Sequence, residues 1–408
     1  MPMFFNFGEV GKKQMTEIQM DKKIYKIALL VSLACVLQIS ESLIPHPIPG
    51  LRLGLANMLT LTALVVMGFR YALEVAVLRT VLSSFIMGTF MSPTFILSLS
   101  GAVISALIMG FFYWLSGLHP RCRLSIIGIS IIGAFSHNIV QLYLAYLLLI
   151  KHGGIFIFLP WLSIGAVATG WVVGIVAGGV CRKLEEIPKQ DILGGIRSDI
   201  HAPIDGQYAP GASLLHRLQA RTKISAVIIL SLAVICFSNF WLYLCVFLSL
   251  FLLAMVSKTP FALFFKKAKR YISIVAVAFF LPVLFNSGTI ILTTIGPFKI
   301  TYEGLSIGSL FASRILVLIY ASFLLVRTTS PKEMTGGLAE VLSPLRYLGI
   351  SEQRVATILS LAWTAIPNLW DTTRKAIFNA DLKKAKNLRN LLPLLSNLIA
   401  SLYLGREE

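Results

Sequence analysis

Residues 95–116 read FILSLSGAVISALIMGFFYWLS, a run of 22 residues without Asp, Glu, Lys, Arg or His. An α-helix rises about 1.5 Å per residue, so a helix of this length reaches across the roughly 30 Å hydrocarbon core of a bilayer. Buried helices of soluble domains are rarely so long and so uniformly apolar. This stretch therefore predicts a transmembrane helix.

Similar segments recur along the whole chain. Of its 408 residues, 56% are apolar and 13% are charged, and this charged share is about half of that in soluble domains. The predicted spans are 24–43, 53–69, 71–91, 95–116, 124–150, 158–180, 224–238, 240–257, 271–292 and 304–326. The sequence thus predicts an all-α integral membrane protein, with a six-helix bundle followed by a second helical unit.

Two polar stretches organise the chain. The stretch Arg182–Lys223 contains several Pro and Gly residues and charges, a composition typical of a linker. We therefore expect a membrane domain at 1–183, a cytoplasmic linker at 184–212 and a second membrane domain at 213–408. Within the latter, 331–390 has the pattern of cytoplasmic amphipathic helices.

Basic residues predict the orientation. Lys and Arg number 36 against 18 acidic residues, and basic loops stay on the cytoplasmic side. Lysines 22, 23 and 26 precede the first span, Arg70 follows the second, and Arg121 and Arg123 follow the fourth. We expect a multi-pass protein of the cell membrane with its N-terminus inside. No basic soluble domain is visible, so nucleic acid is not an expected partner.

The sequence shows no motif for catalysis. It lacks the GxxxxGK[ST] loop that cradles nucleotide phosphates, and it lacks a DDxxD cluster. Clustered carboxylates are what a Mg²⁺-diphosphate complex requires, because Mg²⁺ prefers oxygen ligands. No two of the five cysteines form a CxxC pair. We predict no enzyme activity, metal or cofactor in this chain.

Strongly polar groups inside predicted spans are costly and are default candidates for a site. Such groups are Asn57, Arg79, His137, Asn138 and Gln141. On a helix, 137 and 141, and likewise 138 and 141, share a face. One interpretation is that the five line a substrate pocket. The other is that they form hydrogen bonds between helices, which is common in membranes.

Three further positions have two interpretations each. Arg52 lies at an outer helix end beside the loop IPHPIPG at 44–50, where it contacts either a substrate anion or lipid headgroups. Ala28 and Ser32 form a small-xxx-small pair that allows close helix packing, either on a partner unit or within the bundle. Arg314 lies inside a span, where it either snorkels to the membrane interface or pairs within the bundle, and Glu303 is a candidate partner for it.

Four segments of the second half carry a family resemblance: SLLHRLQARTKI at 213–224, TTSPKEM at 328–334, LSPLRYLGI at 342–350 and LAWTAIP at 361–367. In this order they resemble the transmembrane (T) component of energy-coupling-factor (ECF) vitamin transporters, over about 213–375. The resemblance implies coupling helices that press on separate ABC-type ATPase subunits, which bind and hydrolyse ATP.

The resemblance suggests which basic residues contact those subunits. Arg346, Arg354 and Arg374 lie on the predicted amphipathic helices, and their alternative environment is solvent or lipid headgroups. The arginine motif that the family carries further on should fall near 379–382. This chain has Asn379-Ala-Asp-Leu382 there.

The first half resembles the substrate-binding (S) components of the same transporters. The matching residues are PGLRLGLANM at 49–58, SLSGA at 98–102 and GISIIGAFSHN at 128–138, with Arg79 and Gln141. The similar group is called Gx transporter or heptaprenyl diphosphate synthase component I, and the match covers about 24–183. It implies a small vitamin-like substrate, such as a flavin or a quinone- or isoprenoid-related molecule, and docking of the Ala28/Ser32 face on the T component.

These features favour an ECF-type uptake transporter in which S-like and T-like units are fused. Three alternatives stay open: a membrane subunit associated with isoprenoid or menaquinone synthesis, a scaffold for a flavin- or quinone-linked redox system, and a facilitator that works without ATP.

Overall fold

The computed structural model describes most of the chain. The described residues are 7–43, 54–118, 124–150, 153–186, 209–211, 213–259, 262–264, 269, 272–286, 288–295, 298–341, 343, 351–379, 396–397 and 399–400. Arg52, Arg346 and the last part of the predicted coupling region, 380–390, lie outside these residues.

The N-terminal half, residues 1–183, is helical wherever the structure describes it, apart from short turns. Its α-helices are α1 Phe7–Leu43, α2 Leu55–Met67, α3 Phe69–Met87, α4 Pro93–Leu118, α5 Ile126–Ala145 and α6 Leu159–Glu186. A π-helical segment, Tyr146–Ile150, prolongs α5, and a 3-10 helix, Gly153–Phe158, leads into α6. Each of the six predicted spans overlaps one of these α-helices, although α1 begins well before residue 24.

The break between α2 and α3 occurs at one residue, Gly68. Its φ of 100° is a conformation that residues with a Cβ rarely adopt. The Gly68 N–H donates to the carbonyls of Ala63 and Leu64, and its own carbonyl accepts from the N–H of Ala72. The chain therefore reverses between two packed helices without a loop.

The C-terminal half, residues 213–408, mixes long and short elements. They are α7 Leu214–Arg217, α8 Ala220–Cys236, α9 Phe240–Val256, α10 Ile272–Phe285, β1 Ile291–Ile295, β2 Phe298–Thr301, α11 Tyr302–Thr328, α12 Pro331–Val341 and α13 Glu352–Asn379. The predicted span 271–292 is wrong at its end, because α10 stops at Phe285 and 291–295 forms an antiparallel hairpin with β2. β-Branched Ile and Thr favour strands, which explains the difference.

The lengths of α8 and α11 show at which height along the bundle Arg314 lies. The Lys223 ammonium, near the start of α8, donates to the Thr328 carbonyl at the end of α11, at 2.8 Å. The two helix ends are therefore level. By residue count α11 is about 40 Å long and α8 about 25 Å, so the far part of α11 extends beyond α8. Arg314, near the middle of α11, lies level with the loop between α8 and α9.

Both halves contribute to the same apolar clusters. One cluster joins residues such as Leu33 of α1 to Ile358 and Ile366 of α13. A second joins Leu142 of α5 to Phe311 of α11. Because buried side chains from both halves pack together, the two halves form one packed body rather than two units connected only by a linker.

The outer surface is that of a membrane protein. Trp114, Trp161 and Trp241 have exposed fractions of 60%, 61% and 71%, and such aromatic side chains favour the bilayer interfaces. Five described segments are long and apolar enough to cross a bilayer: Lys23–Glu41, Pro93–Leu118, Ile126–Leu148, Gly153–Leu184 and Tyr302–Thr328. The all-α membrane fold predicted from the sequence is confirmed, with the β1–β2 hairpin as an addition.

Candidate functional site

A small polar cavity lies among α2, α4, α5 and α6. It gathers three of the predicted site residues, Asn57, His137 and Asn138, together with polar groups such as Ser105 and Thr169. Its volume is about 30 Å³, and one water requires roughly 10–15 Å³ by this measure. The cavity thus holds a water or two, and a vitamin-sized molecule can enter only if the surrounding helices move apart.

Glycines explain why the cavity is so narrow. A Cβ on Gly133 of α5 would lie 2.5 Å from the Met109 sulfur of α4. A Cβ on Gly170 of α6 would lie 2.7 Å from the Ile131 Cα of α5. Small residues let membrane helices approach this closely, and the Ser105 hydroxyl adds a 2.8 Å hydrogen bond to the Gly133 carbonyl.

Arg79 of α3 is buried beside this cavity and binds one of its lining residues. Its Nη2 donates to Asn57 Oδ1, its Nη1 to Gln38 Oε1 at 3.0 Å, and its Nε to Thr60 Oγ1 at 3.3 Å. These acceptors belong to α1 and α2. Arg79 itself is not among the lining residues. Its guanidinium therefore holds three helices together and fixes the orientation of Asn57.

The three predicted residues of α5 divide between the two interpretations. Asn138 lines the cavity, but its Nδ2 also donates to the Leu162 carbonyl of α6 at 3.0 Å, which is a helix–helix hydrogen bond. His137 and Gln141 both lie against Gly101 of α4, where an added Cβ would be 2.8 Å from the imidazole Cε1 and 3.1 Å from the Gln141 Cγ. Of this pair, only His137 lines the cavity.

Sequence reasoning missed two polar residues of the first span. Gln38 accepts from Arg79, and Glu41 accepts from the Gly54 N–H at 2.9 Å, at the start of α2. Both are strongly polar groups within 24–43, so the rule that selected Asn57 could have found them. Thr60 offers no such signal, because threonine is common in membrane helices.

The predicted coupling residues of α1 are buried. The side chains of Ala28 and Ser32 are both buried from solvent. The Ser32 hydroxyl donates to the Leu29 carbonyl of its own helix. Their helix packs along α13 of the C-terminal half, and Ala28 belongs to the same apolar cluster as Ala362 of α13. Helix α1 and the amphipathic helix α13 are thus in contact within one chain.

An ion pair joins the halves at the start of α13. Arg354 Nη2 lies 2.8 Å from Glu74 Oε2 of α3, and the guanidinium also lies over the Tyr71 ring, 5.7 Å from its centroid. Arg354 therefore contacts the N-terminal half, and its predicted contact with an ATPase subunit stays a prediction. Arg374 lies on α13, but its side chain is outside the described residues.

A second arginine joins the halves at a different level. Arg314 is fully buried, and its Nη1 donates to the Leu148 carbonyl of the π-helical segment at 2.6 Å. Its Nε donates to the Tyr243 hydroxyl and its Nη2 to the Ser238 hydroxyl, both at 3.0 Å. The prediction that Glu303 pairs with Arg314 is wrong, because the Glu303 carboxylate accepts hydrogen bonds from Thr289 and Ile290.

The exposed face of α13 is polar and nearly uncharged. Over 352–373, the positions that face outward carry Gln353, Thr357, Ser360, Leu361, Thr364, Asn368 and Asp371. They repeat at helical spacing, and the intervening positions, such as Ile358 and Ile366, are buried. A partner that covers this described part of α13 meets mainly hydroxyl and amide groups. The predicted basic contacts at Arg346 and Arg374 lie outside the described side chains and stay a prediction.

Known proteins similar to this chain match its C-terminal part. A family model described as cobalt transport protein (CbiQ) matches residues 211–404. The energy-coupling factor transporter transmembrane protein EcfT of Listeria innocua is 32% identical over 213 residues, which cover 50% of this chain and 80% of that protein. The Bacillus subtilis EcfT is 33% identical over 216 residues, again 50% of this chain and 80% of that protein.

This chain belongs to the EcfT family. The EcfT-like part is its C-terminal half, and the heptaprenyl diphosphate synthase component I family model matches residues 30–180. The chain is thus a fusion of these two kinds of unit. As an EcfT relative with several apolar spans, it is a multi-pass cell-membrane component of an ECF-type transporter. Among the described residues, no group of three or more His, Cys, Asp or Glu side chains could hold a metal.

Proposed function

We propose that this chain supplies both the substrate-binding and the coupling part of an uptake transporter for a small vitamin-like molecule. A flavin and a quinone- or isoprenoid-related compound are the candidate substrates. Separate ABC-type ATPase subunits hydrolyse ATP. The working division is a binding domain at 1–183, a cytoplasmic linker at 184–212 and a coupling domain at 213–408, with the N-terminus inside.

The observation that carries this proposal is the direct packing of α13 on α1 and α3, the two helices that Arg79 joins to the cavity helix α2. Arg354 of α13 is bonded to Glu74 of α3. The same helix α3 carries Arg79, which holds Asn57 at the cavity. A displacement of α13 therefore moves α3, and through Arg79 it changes the position of a lining residue.

This arrangement suits a two-state mechanism. The narrow cavity is one state, and a state with α4, α5 and α6 further apart admits substrate. ATP binding on a partner can shift the balance only by favouring one position of α13 over the other. The lining amide, imidazole and hydroxyl groups offer both donors and acceptors, which favours a substrate with several polar heteroatoms.

The test is affinity purification of the full chain from its native host, followed by mass spectrometry of proteins and extracted small molecules. We expect ABC-type ATPase subunits to co-purify, and the retained small molecule to be lost from the Asn57→Leu and His137→Leu variants. Absence of an ATPase subunit contradicts the coupling role. Unchanged retention in both variants contradicts the proposed binding residues.

A second candidate follows from the family description that matches residues 30–180, heptaprenyl diphosphate synthase component I. Under this alternative, the chain is a membrane subunit associated with isoprenoid or menaquinone synthesis. The same purification then recovers a soluble prenyltransferase and no ATPase subunit, so one experiment separates the two candidates.

A further inference from the structure

Three helices of the C-terminal half enclose an apolar cavity of about 400 Å³. Each helix contributes a stripe at i, i+3, i+4 spacing: 223, 226, 227 and 230 of α8; 246, 249, 250 and 253 of α9; and 321, 324, 325 and 328 of α11. Among the described lining residues the one cation is Lys223, whose ammonium donates to the Thr328 carbonyl. Leu253 at its edge has an exposed fraction of 42%, so the cavity opens towards the membrane-facing surface.

A polar cavity of about 330 Å³ lies at the ends of the same helices. Val256, the last residue of α9, and Ser257 after it line this second cavity, three and four residues beyond Leu253. On α11, Arg327 lines it three residues beyond Leu324. Among the described lining residues, none is acidic, and the polar side chains are Ser213, His216, Ser257, Lys258, Thr259 and Arg327. This cavity combines two cations with several hydroxyls, a composition that suits a phosphate group.

Hydrogen bonds among its lining residues hold the walls of this polar cavity together. The His216 Nε2 lies 2.9 Å from the Ala209 carbonyl and its Nδ1 lies 2.7 Å from the Ser213 hydroxyl. The Ala209 N–H donates to the Arg327 carbonyl at 3.0 Å. The segment before α8 is thus bonded to the end of α11, and Lys258 lies two residues after the end of α9.

We propose that the two cavities together bind one anionic phospholipid, with its phosphate beside Lys258 and Arg327 and an acyl chain between α8, α9 and α11. The adjacent apolar and basic cavities match the two parts of such a molecule, and basic pockets between membrane helices bind anionic headgroups on the cytoplasmic side. The site lies at the end of the bundle that carries α12 and α13, which the predicted orientation puts inside. It is separate from the cavity at Asn57 and does not depend on the transport proposal.

Native mass spectrometry of the full chain in detergent tests this site, with phosphatidylglycerol and phosphatidylcholine as probes. We expect phosphatidylglycerol to be retained and phosphatidylcholine to be lost. A cytoplasmic basic residue contributes roughly fivefold in affinity for anionic lipid, so the double variant Lys258→Gln, Arg327→Gln should lower phosphatidylglycerol occupancy by roughly twenty- to thirtyfold. Lys332→Gln on α12 removes one exposed charge that lines neither cavity and should leave occupancy unchanged.

The apolar part needs a separate variant, since a soluble phosphate could also bind the polar cavity. Ser249→Trp fills the apolar cavity from an exposed position on α9. It should therefore weaken the binding of phosphatidylglycerol without changing the size-exclusion profile of the protein. Glycerol 3-phosphate at equal concentration should not displace the lipid. Equal retention of both lipids, full occupancy in the double variant, or displacement by glycerol 3-phosphate with no effect of Ser249→Trp would each overturn the proposal.

Discussion

The buried arginine Arg314 of α11 donates a 2.6 Å hydrogen bond to the backbone carbonyl of Leu148, which belongs to the other half of the chain. The carbonyl lies in the π-helical segment that prolongs α5, the helix that carries His137 and Asn138. The C-terminal end of a cavity helix is therefore held by the EcfT-like half. Together with the pair Arg354–Glu74, this bond connects the halves at two levels.

Loss of the Arg314 side chain should destabilise the whole protein. Arg314→Met leaves the Leu148 carbonyl and the Ser238 hydroxyl without this donor, and an unsatisfied buried polar group costs roughly 1–3 kcal/mol. Arg70→Met, at an exposed arginine of α3, is the matched control. We expect the apparent melting temperature in detergent to fall clearly for Arg314→Met and hardly at all for Arg70→Met. Equal melting curves would show that the Arg314 bonds do not stabilise the junction.

The Arg354–Glu74 pair should show coupling in a double-mutant cycle. The side chains are 35% and 19% exposed, and partly exposed pairs contribute about 0.2–1 kcal/mol. Glu74→Gln and Arg354→Gln should each lower thermal stability, and the double variant should lose less than the sum of the two. Additive losses would mean that the two charges do not interact in the membrane-embedded protein.

Replacing Gly170 by alanine should destabilise the protein, whereas replacing Gly178 on the same helix should not. At Gly170 the new Cβ meets backbone of α5 that cannot rotate away, and overpacking costs typically 1–3 kcal/mol. At Gly178 nothing lies within 4 Å, and replacing a helical glycine gains up to about 1 kcal/mol. Thermal unfolding of Gly170→Ala and Gly178→Ala checks both. A tolerated Gly170→Ala would show that α5 and α6 do not pack as closely as described.

Part of this architecture could be predicted from the sequence because a bilayer demands about 20 apolar residues per span. The spans of α4 and α6 follow from that rule alone. The partner of Arg314 could not be predicted, because a backbone carbonyl such as Leu148 has no residue-type signal. The pair Glu74 and Arg354 is also far apart along the chain, and only the packing of α3 on α13 brings the two together.

The candidate site shows the same limit. Polarity inside spans selected Asn57, His137 and Asn138, and the structure brings these three to one cavity. The same rule selected Arg79 without indicating that it contacts Asn57 rather than the cavity. Whether a polar side chain faces a pocket or a neighbouring helix depends on the rotation of each helix, which spacing along a single helix does not determine.

Acidic residues on the exposed face of α13 should block binding of an ATPase subunit. Ser360→Glu with Thr364→Glu adds charges that an interface would have to desolvate, on positions that are exposed in the chain alone. Thr293→Glu, on the exposed strand β1, is the control. We expect ATPase subunits to be absent when the Ser360→Glu, Thr364→Glu variant is purified and present when the Thr293→Glu control is purified. Co-purification with both variants would move the contact away from this face of α13.

ATP-driven uptake by proteoliposomes tests the central claim most directly. The liposomes contain only this chain and the ABC-type ATPase subunits that co-purify with it, and the small molecule found in the native preparation is the labelled substrate. We predict uptake that requires ATP and needs no separate substrate-binding protein. Uptake that appears only after a separate substrate-binding protein is added, or that proceeds equally without ATP, would contradict the assignment of both roles to this one chain.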